Sequence, residues 1–573
     1  MGDPLHIGNG STLTLADLVR VARSPRLKAR LSEAARREMK KSSRWVDGVV
    51  ERLGQEERPS SYYGINTGFG ALAGRTTLDN AYLTHVLSRN LLASHAAGAG
   101  SFFEEETVRA ALLLRAHSLA QGHSGVRVEV VEKLLDMLNR GLYPAVPCMG
   151  SLGASGDLAP LSHLALLLAA VPQAPSPQAD LHLPDDGGEA FLPADADLPA
   201  ADQELHLTVE RPGGVQKRWR RVPGRQAMEA VGGPLELRAK EGLALNNGTA
   251  FSTALLALAL HDAQSLVEQA DLALAMTLEA ILGFGDPFFS RVHEVRGHPG
   301  AAETAAAVRL YTQGSTLIDG SPELRPRRIP PQDPYSLRCA PQVHGAVRDT
   351  LAFVRRTVDI ELNATTDNPL IFPSLPRDYK AVSGGNFHGE PVAMASDFLS
   401  IAVTELGSIA ERRVFKMTDY HPEKEFGLPP FLFDDKATQG LNSGLMIPQY
   451  TAASLVSDCK TLSHPDCVDS IPSSADQEDH VSMSLNAARH ARQVVDNIEQ
   501  VVAIEFLCAG QALEWRQRQD SSIRLGAGSR AALDRLRQDV PYLAQDRVLY
   551  PDLRKALQLV RGGQLLEAAR QAT

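Results

Sequence analysis

The segment GSLGASGDLAPL at 150–161 contains the residue types that most directly suggest unusual chemistry. Ala154, Ser155 and Gly156 place three of the smallest residues in a row, and Asp157 follows them. Small side chains permit a backbone turn tight enough for an amide nitrogen to approach a carbonyl carbon two residues away. The alternative is an ordinary glycine-rich turn before a helix, with Asp157 as the cap of that helix.

The rest of the chain predicts mainly helical elements that would position this segment. Residues Thr249 to Leu282 keep an apolar periodicity without an internal proline or glycine. The same helical spacing recurs at Gln342–Asn363, His388–Lys416, Pro448–Leu462 and Asp479–Trp515. Helices of this length must bury an apolar stripe against one another. The sequence therefore predicts a mainly α fold with a long central helical bundle.

Chain length indicates more than one domain, because 573 residues exceed the roughly 250–300 at which one hydrophobic core stops growing. We expect an N-terminal domain at 1–240, which carries the small-residue segment, and a helical bundle with a C-terminal helical region at 241–573. The N-terminal domain contains a Pro-, Ala- and Asp-rich insertion at about 172–232. Its second half alternates in polarity around a Pro-Gly-Gly turn, which predicts a β-hairpin with strands near Leu205–Glu210 and Val215–Arg221.

Composition argues against several classes of partner. The chain has 58 basic and 68 acidic residues, a formal charge of −10, whereas nucleic-acid binding needs clustered Lys and Arg. Its longest apolar stretch, Leu164–Val171, is far shorter than the ~20 residues that span a membrane. Five cysteines are too few for a disulfide framework, so we expect a cytoplasmic location. Cys459, His464 and Cys467 lack a fourth ligand for structural zinc, so we expect no metal site.

Seven segments, in the same order along the chain, resemble one known family. They are YGINTGFG at 63–70, SHAAG at 94–98, GSLGASGDLAPL at 150–161, GLALNNGT at 242–249, QDPYSLRC at 332–339, GGNFHGEPVAMA at 384–395 and SADQEDHVSM at 474–483. Together they resemble the aromatic amino acid ammonia-lyase family, and within it the branch that acts on histidine. The resemblance implies a fumarase/aspartase-like fold and a homotetramer with shared active sites.

The resemblance also implies a prosthetic group made from the chain itself. Ala154, Ser155 and Gly156 would cyclise and dehydrate on their own into methylidene-imidazolone, with no external cofactor. Removing ammonia from an amino acid requires loss of a poorly acidic β-proton and departure of a poor leaving group. Ordinary side chains contain no electrophile that could assist, so the backbone would have to supply one.

The resemblance assigns roles to further residues. Tyr63 would be the general base for the β-proton; because a free tyrosine has a pKa near ~10, its site must favour the phenolate. Arg338 would grip the substrate carboxylate with its guanidinium fork. Asn247 would donate to that carboxylate or to the electrophile's oxygen. A packed tyrosine and a structural salt bridge are the alternatives for Tyr63 and Arg338.

Three more residues complete the implied site. Gln332 and Tyr335 would belong to the hydrogen-bonding shell, with Tyr335 among the catalytic residues, and Phe387 would pack against the prosthetic ring. Two positions depart from the family pattern: Asn246, where an apolar residue is more usual, and His344, where methionine is expected in the histidine branch.

The resemblance also bears on substrate choice, because Ser94, His95 and Glu478 match what the branch that acts on histidine carries at these positions. An imidazole substrate needs polar partners for both ring nitrogens, since a buried site without them would strand hydrogen-bonding groups. His95 and Glu478 supply such groups, although His95 could also be a structural histidine. The expected reaction is elimination of ammonia from L-histidine to give trans-urocanate. The alternatives are a phenylalanine or tyrosine ammonia-lyase, an aromatic amino acid 2,3-aminomutase with the same electrophile, or an inactive oligomeric scaffold.

Overall fold

The structure, a computed structural model, describes residues 3–53, 55, 60–74, 78–177, 181–193, 207–209, 217–318, 332–376, 380–419, 427–434 and 440–573. Over these residues the fold is mainly α, as predicted. Buried apolar side chains from Ile7 to Ala569 form one continuous core. The division at residue 240 therefore stays a prediction.

The first three helices of the N-terminal part begin where polar side chains cap their free amides. Thr14 accepts a hydrogen bond from the Asp17 amide, and the Asp17 carboxylate accepts one from the Thr14 amide, a capping box that starts the first helix. Ser32 caps the second helix in a similar way through the amide of Ala35. The elements of this part are β1 (Leu5–Ile7), α1 (Leu15–Arg23), β2 (Ala29–Leu31), α2 (Glu33–Val50), α3 (Ala81–His95), β3 (Ala99–Phe102), α4 (Glu105–Leu119), α5 (Val128–Arg140), β4 (Tyr143–Pro144), β5 (Pro147–Met149) and α6 (Leu158–Leu166).

The segment predicted as an insertion contributes to a small antiparallel sheet. Its strands are β6 (Glu189–Pro193), β7 (Leu207–Val209) and β8 (Lys217–Pro223), and helix α7 (Gly224–Glu229) follows. The strand order is β4-β6-β8-β7, so β4 joins the segment to the N-terminal part. Strands β7 and β8 pair antiparallel, which confirms the predicted hairpin pairing, while its Pro-Gly-Gly turn lies outside the described residues.

Long helices form the remainder of the chain. The elements are α8 (Glu241–Asn246), α9 (Ala250–Ala280), α10 (Ser290–Glu294), α11 (Pro299–Tyr311), α12 (Tyr335–Arg338), α13 (Ala340–Glu361), β9 (Leu370–Ile371), β10 (Ala381–Val382), α14 (Glu390–Thr418), α15 (Met446–Leu462), α16 (Ser484–Gln519), α17 (Ala527–Asp539), α18 (Tyr550–Arg561) and α19 (Gln564–Ala572). Helices α9, α13, α14 and α16 pack side by side, as predicted from their apolar spacing.

Two of these helices, α9 and α14, are long and apolar enough to cross a membrane by length and composition alone. In the most apolar window of each, 78% of α9 and 67% of α14 is buried inside the fold. Such burial is typical of core helices in a bundle, so their apolar character is explained by packing within the chain.

Candidate active site

The small-residue segment is held against the turn that precedes α9. The amide of Gly248 donates to the carbonyl of Ser155 at 3.1 Å, and the amide of Asp157 donates to the carbonyl of Gly248 at 2.7 Å. Gly156 has φ +76°, and a Cβ atom there would lie 2.2 Å from the Gly248 carbonyl oxygen. Only glycine therefore fits at this position, both for its backbone conformation and for the close contact.

Asp157 caps a different helix from the one predicted. Its Oδ2 accepts hydrogen bonds from the amides of Phe251 and Ser252, at 2.9 and 2.8 Å, and from the Ser252 hydroxyl. These amides open α9, whereas the side chain makes no cap bond to α6. Burial raises the pKa of Asp157 to about 6, and the donors from Ser252 and Phe251 oppose that shift. Asp157 thus ties the small-residue segment to the long central helix.

Asn247 lies directly beside this segment, at the end of α8. The buried guanidinium of Arg115 donates to the carbonyl of Asn247 at 2.5 Å and to that of Thr366 at 3.3 Å, which fixes the backbone there. The side-chain Oδ1 of Asn247 is buried and has no hydrogen-bond partner among the described residues. The backbone of Asn247 is therefore fixed by Arg115, while its side-chain oxygen is unpaired among the described residues.

Tyr63 lies on a glycine-rich loop that packs against α8. A Cβ atom on Gly64 would lie 2.2 Å from Cδ2 of Leu243, so this loop approaches the helix very closely. The amide of Gly70 donates to the Tyr63 hydroxyl at 3.3 Å. Burial raises the pKa of Tyr63, the Gly70 amide lowers it and the charge of Glu478 raises it further. Within one chain, burial and then the Glu478 charge both disfavour the phenolate, so the expectation that the site favours it stays a prediction.

The loop that carries Glu478 contacts both the loop of Tyr63 and the small-residue segment. The amide of Ala71, next to the Tyr63 loop, donates to the Ser474 hydroxyl at 3.5 Å. The Ser473 hydroxyl donates to Oε2 of Glu478 at 2.9 Å. Ser482 donates its hydroxyl to the carbonyl of Gly153 at 3.1 Å, and Met483 packs on Ala154. Glu478, Tyr63 and the small-residue segment are therefore neighbours within one chain.

His95 joins this group from the end of α3. Its Nδ1 is 3.0 Å from the hydroxyl of Ser94. Burial lowers the pKa of His95, and the negative charge of Glu478 opposes that shift. His95 is consequently neutral near pH 7, with one donor and one acceptor on its ring.

The remaining predicted residues lie on other elements. Tyr335 and Arg338 belong to the short helix α12, where the Arg338 guanidinium is 4.8 Å from the Tyr335 ring centre and Tyr335 is 71% exposed. Gln332 is exposed just before them. Phe387 is half-buried in a loop whose His388 ring contacts the carbonyl of His480. In the described part of one chain, no hydrogen bond or ion pair joins Arg338 to Tyr63, His95 or Glu478.

A sequence model of aromatic amino acid lyases matches residues 13–538. The chain is 46% identical over 564 residues to the histidine ammonia-lyase of Gloeobacter violaceus, covering 98% of this chain and 97% of that protein. It is also 46% identical, over 567 residues, to the histidine ammonia-lyase of Symbiobacterium thermophilum, with the same coverage. This chain belongs to the aromatic amino acid lyase family.

Solved structures of related lyases and aminomutases share the fold. The histidine ammonia-lyase of Trypanosoma cruzi superposes with a TM-score of 0.80 at 34% identity, covering 99% of this chain and 95% of that one. The tyrosine aminomutase of Streptomyces globisporus has a TM-score of 0.83 at 34% identity, covering 100% and 99%. The predicted fumarase/aspartase-like fold is confirmed. Because the curated relatives match over nearly their whole length, the segment at about 172–232 does not set this lyase apart from them in length.

Two departures from the family pattern have partners inside the lyase fold. The Asn246 amide donates to the Ser162 hydroxyl at 3.1 Å, so its side chain faces α6. His344 Nδ1 is 2.7 Å from Oδ1 of Asp271, and both side chains are fully buried.

Sequence reasoning missed Arg115 and Ser482, which support the site from distant parts of the chain. In the sequence, the signal for Arg115 is a charged residue directly after the apolar run 110–114 of helix α4.

Proposed function

We propose that this protein is a carbon–nitrogen lyase that eliminates ammonia from L-histidine to give trans-urocanate. The observation that carries the proposal is the position of Glu478, whose charge acts on both Tyr63 and the neutral ring of His95. Curated histidine ammonia-lyases that are 41–46% identical over nearly the whole chain support the same substrate.

Recognition of an imidazole ring follows from the chemistry of these two side chains. The Glu478 carboxylate accepts a hydrogen bond from a ring N–H, and the neutral His95 ring offers a second donor or acceptor. A phenyl or phenol ring has no N–H and would leave the Glu478 carboxylate without that partner. Such unpaired polar groups give strong discrimination against a substrate analogue.

We further propose that Ala154, Ser155 and Gly156 form methylidene-imidazolone. The residues present fit this group in two respects: the backbone at Gly156 is clamped against Gly248 with no room for a side chain, and the adjacent Asn247 has a side-chain NH2 group that would donate to an oxygen of the ring. When formed, the group supplies the electrophile that makes the substrate's amino group easier to expel.

Tyr63 would remove the β-proton of the substrate. Its hydroxyl is oriented by the Gly70 amide, and a Tyr63 phenolate accepts a proton from carbon once the substrate is held beside it. Within one chain, burial and the Glu478 charge raise the pKa of Tyr63. A positive group from another copy of the chain is therefore needed to stabilise the phenolate. Arg338 is a candidate for that group as well as for the carboxylate anchor.

A homotetramer with shared active sites would bring Arg338 to Tyr63. Met394, Phe398 and Ile401 are 40–45% exposed and follow a helical spacing on one side of α14. On neighbouring helices, Ile360 is 64% exposed and Tyr450 59% exposed. We propose that these side chains pack against further copies of the chain, so that Tyr335, Arg338 and Gln332 of one copy complete the site of another.

The substrate assignment is tested by offering purified enzyme L-histidine, L-phenylalanine and L-tyrosine separately. We expect rapid formation of urocanate from histidine and at least a hundred-fold lower kcat/KM with the other two, from the cost of stranded polar groups. Chromatography for β-amino acids checks for aminomutase products. Turnover of phenylalanine or tyrosine but not histidine would reject the assignment.

The shared site is tested by mixing two inactive chains. If each site takes Tyr63 from one chain and Arg338 from another, a mixed oligomer of Tyr63→Phe and Arg338→Ala chains contains some sites with both defects and some sites with neither. Co-expression of both variants should then restore part of the wild-type activity, whereas each variant alone stays inactive. Absence of restoration in verified mixed oligomers would mean that both residues serve the same chain's site.

A cytoplasmic location is also proposed. It is in keeping with the five cysteines, which all lie in the described part of the chain and form no disulfide there.

A further inference from the structure

A network of buried charged side chains connects helices α9, α13, α14 and α16 of the bundle. His344 on α13 contacts Asp271 on α9 at 2.7 Å, and both side chains have no exposed surface. Arg413 on α14 and Glu505 on α16 form a two-pronged ion pair, with distances of 2.5 and 2.8 Å, and are also fully buried. Arg348 completes the group as a second partner of Asp271.

His344 links the two ion pairs of this network. Its Nε2 lies 3.4 Å from the Nη1 nitrogen of Arg413. Because a guanidinium nitrogen can only donate, Nε2 of His344 must accept, and Nδ1 must carry the proton that goes to Asp271. His344 is therefore a neutral ring of fixed tautomer that aligns the Arg413 guanidinium.

The same Nη1 nitrogen of Arg413 reaches α12. It donates to the backbone carbonyl of Ser336 at 3.4 Å. Ser336 lies in the four-residue turn between Tyr335 and Arg338. One hydrogen of this nitrogen is thus directed to His344 and the other to the turn that carries Arg338.

We propose that His344 is a positioning residue for Arg338, acting through the Arg413 guanidinium and the Ser336 carbonyl. This inference rests on the proposed function, in which Arg338 binds the substrate carboxylate. The network would keep α12 in one position without touching the substrate itself.

The charge balance of the network supports a neutral His344. Two carboxylates, Asp271 and Glu505, face two guanidiniums, Arg413 and Arg348, so the buried charges cancel when His344 carries none. Burial also lowers the pKa of His344, with Asp271 opposing the shift. A protonated ring would turn its Nε2 donor toward the Arg413 donor and remove the alignment.

His344→Met tests the proposal, because methionine fills similar space but makes neither hydrogen bond. We expect KM for L-histidine to rise about tenfold with kcat within about threefold, as expected for weaker carboxylate binding. The inhibition constant of urocanate, which has a carboxylate, should rise in parallel. That of histamine, which has the imidazole but no carboxylate, should stay unchanged. His344→Gln, which can donate to Asp271 and accept from Arg413, should restore most of the affinity.

His117→Met is the matched control. His117 is a buried histidine of α4 that accepts a hydrogen bond from the Gly8 amide at 3.0 Å, and its other hydrogen-bond partners are Asn363 and Gln121, which also lie outside α12. Its loss should lower the melting temperature without changing KM. If His344→Met does not fold, His344→Asn is the substitute, because its shorter amide can donate to Asp271 but ends before the position from which Nε2 contacts Arg413. It should show the same selective loss.

Several outcomes overturn the inference. An unchanged KM in the folded His344 variants, or an equal loss of urocanate and histamine binding, would show that the network is merely structural. Wild-type enzyme that forms no urocanate would instead reject the proposed function. The two failures are therefore distinguished by the activity of the unmodified protein.

Discussion

Lys240 Nζ and Asp367 Oδ2 lie 2.6 Å apart, and neither side chain has any exposed surface. Lys240 precedes α8, the helix that ends beside Asn247. Asp367 follows Thr366, whose carbonyl accepts from the same Arg115 guanidinium that holds the Asn247 backbone. The ion pair therefore connects the stability of the core to the position of a predicted site residue.

Asp367→Ala should be strongly destabilising, because it leaves the Lys240 ammonium buried without its partner. We expect the free energy of unfolding to fall by about 3–5 kcal/mol, measured by urea denaturation. The double variant Lys240→Met/Asp367→Leu should lose much less than the sum of its two single changes. Additive losses would show that the two charges do not interact in the folded protein.

Gly156→Ala should prevent the small-residue segment from adopting its observed conformation. The added Cβ would lie 2.2 Å from the Gly248 carbonyl oxygen, and φ of +76° disfavours alanine. Cyclisation of the triplet removes two water molecules, so the variant should keep the mass of the unmodified chain in intact-mass spectrometry. Gly74→Ala is the control, since no heavy atom lies within 4 Å of its added Cβ. Normal mass loss in Gly156→Ala would contradict the clamped geometry.

Local periodicity made the helices predictable, whereas contacts between distant segments were not. The apolar spacing of α9 and α14 is visible in neighbouring residues, so their existence followed directly. Asp157 was assigned to the helix next to it, but it caps α9 across 95 positions because the chain folds back there. The raised pKa of Tyr63 likewise comes first from burial in the folded chain and then from the charge of Glu478, 415 positions away, and no local pattern reveals either cause.

Tyr63→Phe should separate proton removal from formation of the electrophile. The phenyl ring keeps the packing against Phe69 but has no oxygen to accept the β-proton. We expect kcat to fall about 10²–10⁴-fold, with the mass loss of two waters unchanged. Ser155→Ala should show the complementary result, a stable protein without that mass loss and with little activity. Wild-type turnover in Tyr63→Phe would remove this residue from the role of base.

Glu478→Gln should change both substrate affinity and pH dependence. The amide retains the shape of the side chain but removes the negative charge that raises the pKa of Tyr63. Removing a nearby negative charge stabilises the phenolate, so the pKa of Tyr63 should fall. The limb of the kcat/KM profile that reports Tyr63 should consequently move to lower pH.

The same substitution should weaken binding of histidine more than binding of phenylalanine. Glutamine accepts a weaker hydrogen bond from the imidazole N–H than a carboxylate does, whereas a phenyl ring makes no such bond. We expect KM for histidine to rise about tenfold or more, from the loss of a charge-assisted hydrogen bond. Ser473→Ala is the control, because it removes the donor to Glu478 but keeps the charge, and it should leave the Tyr63 limb nearly in place. A pH profile that is unchanged in Glu478→Gln would show that the carboxylate does not act on Tyr63 in the assembled enzyme.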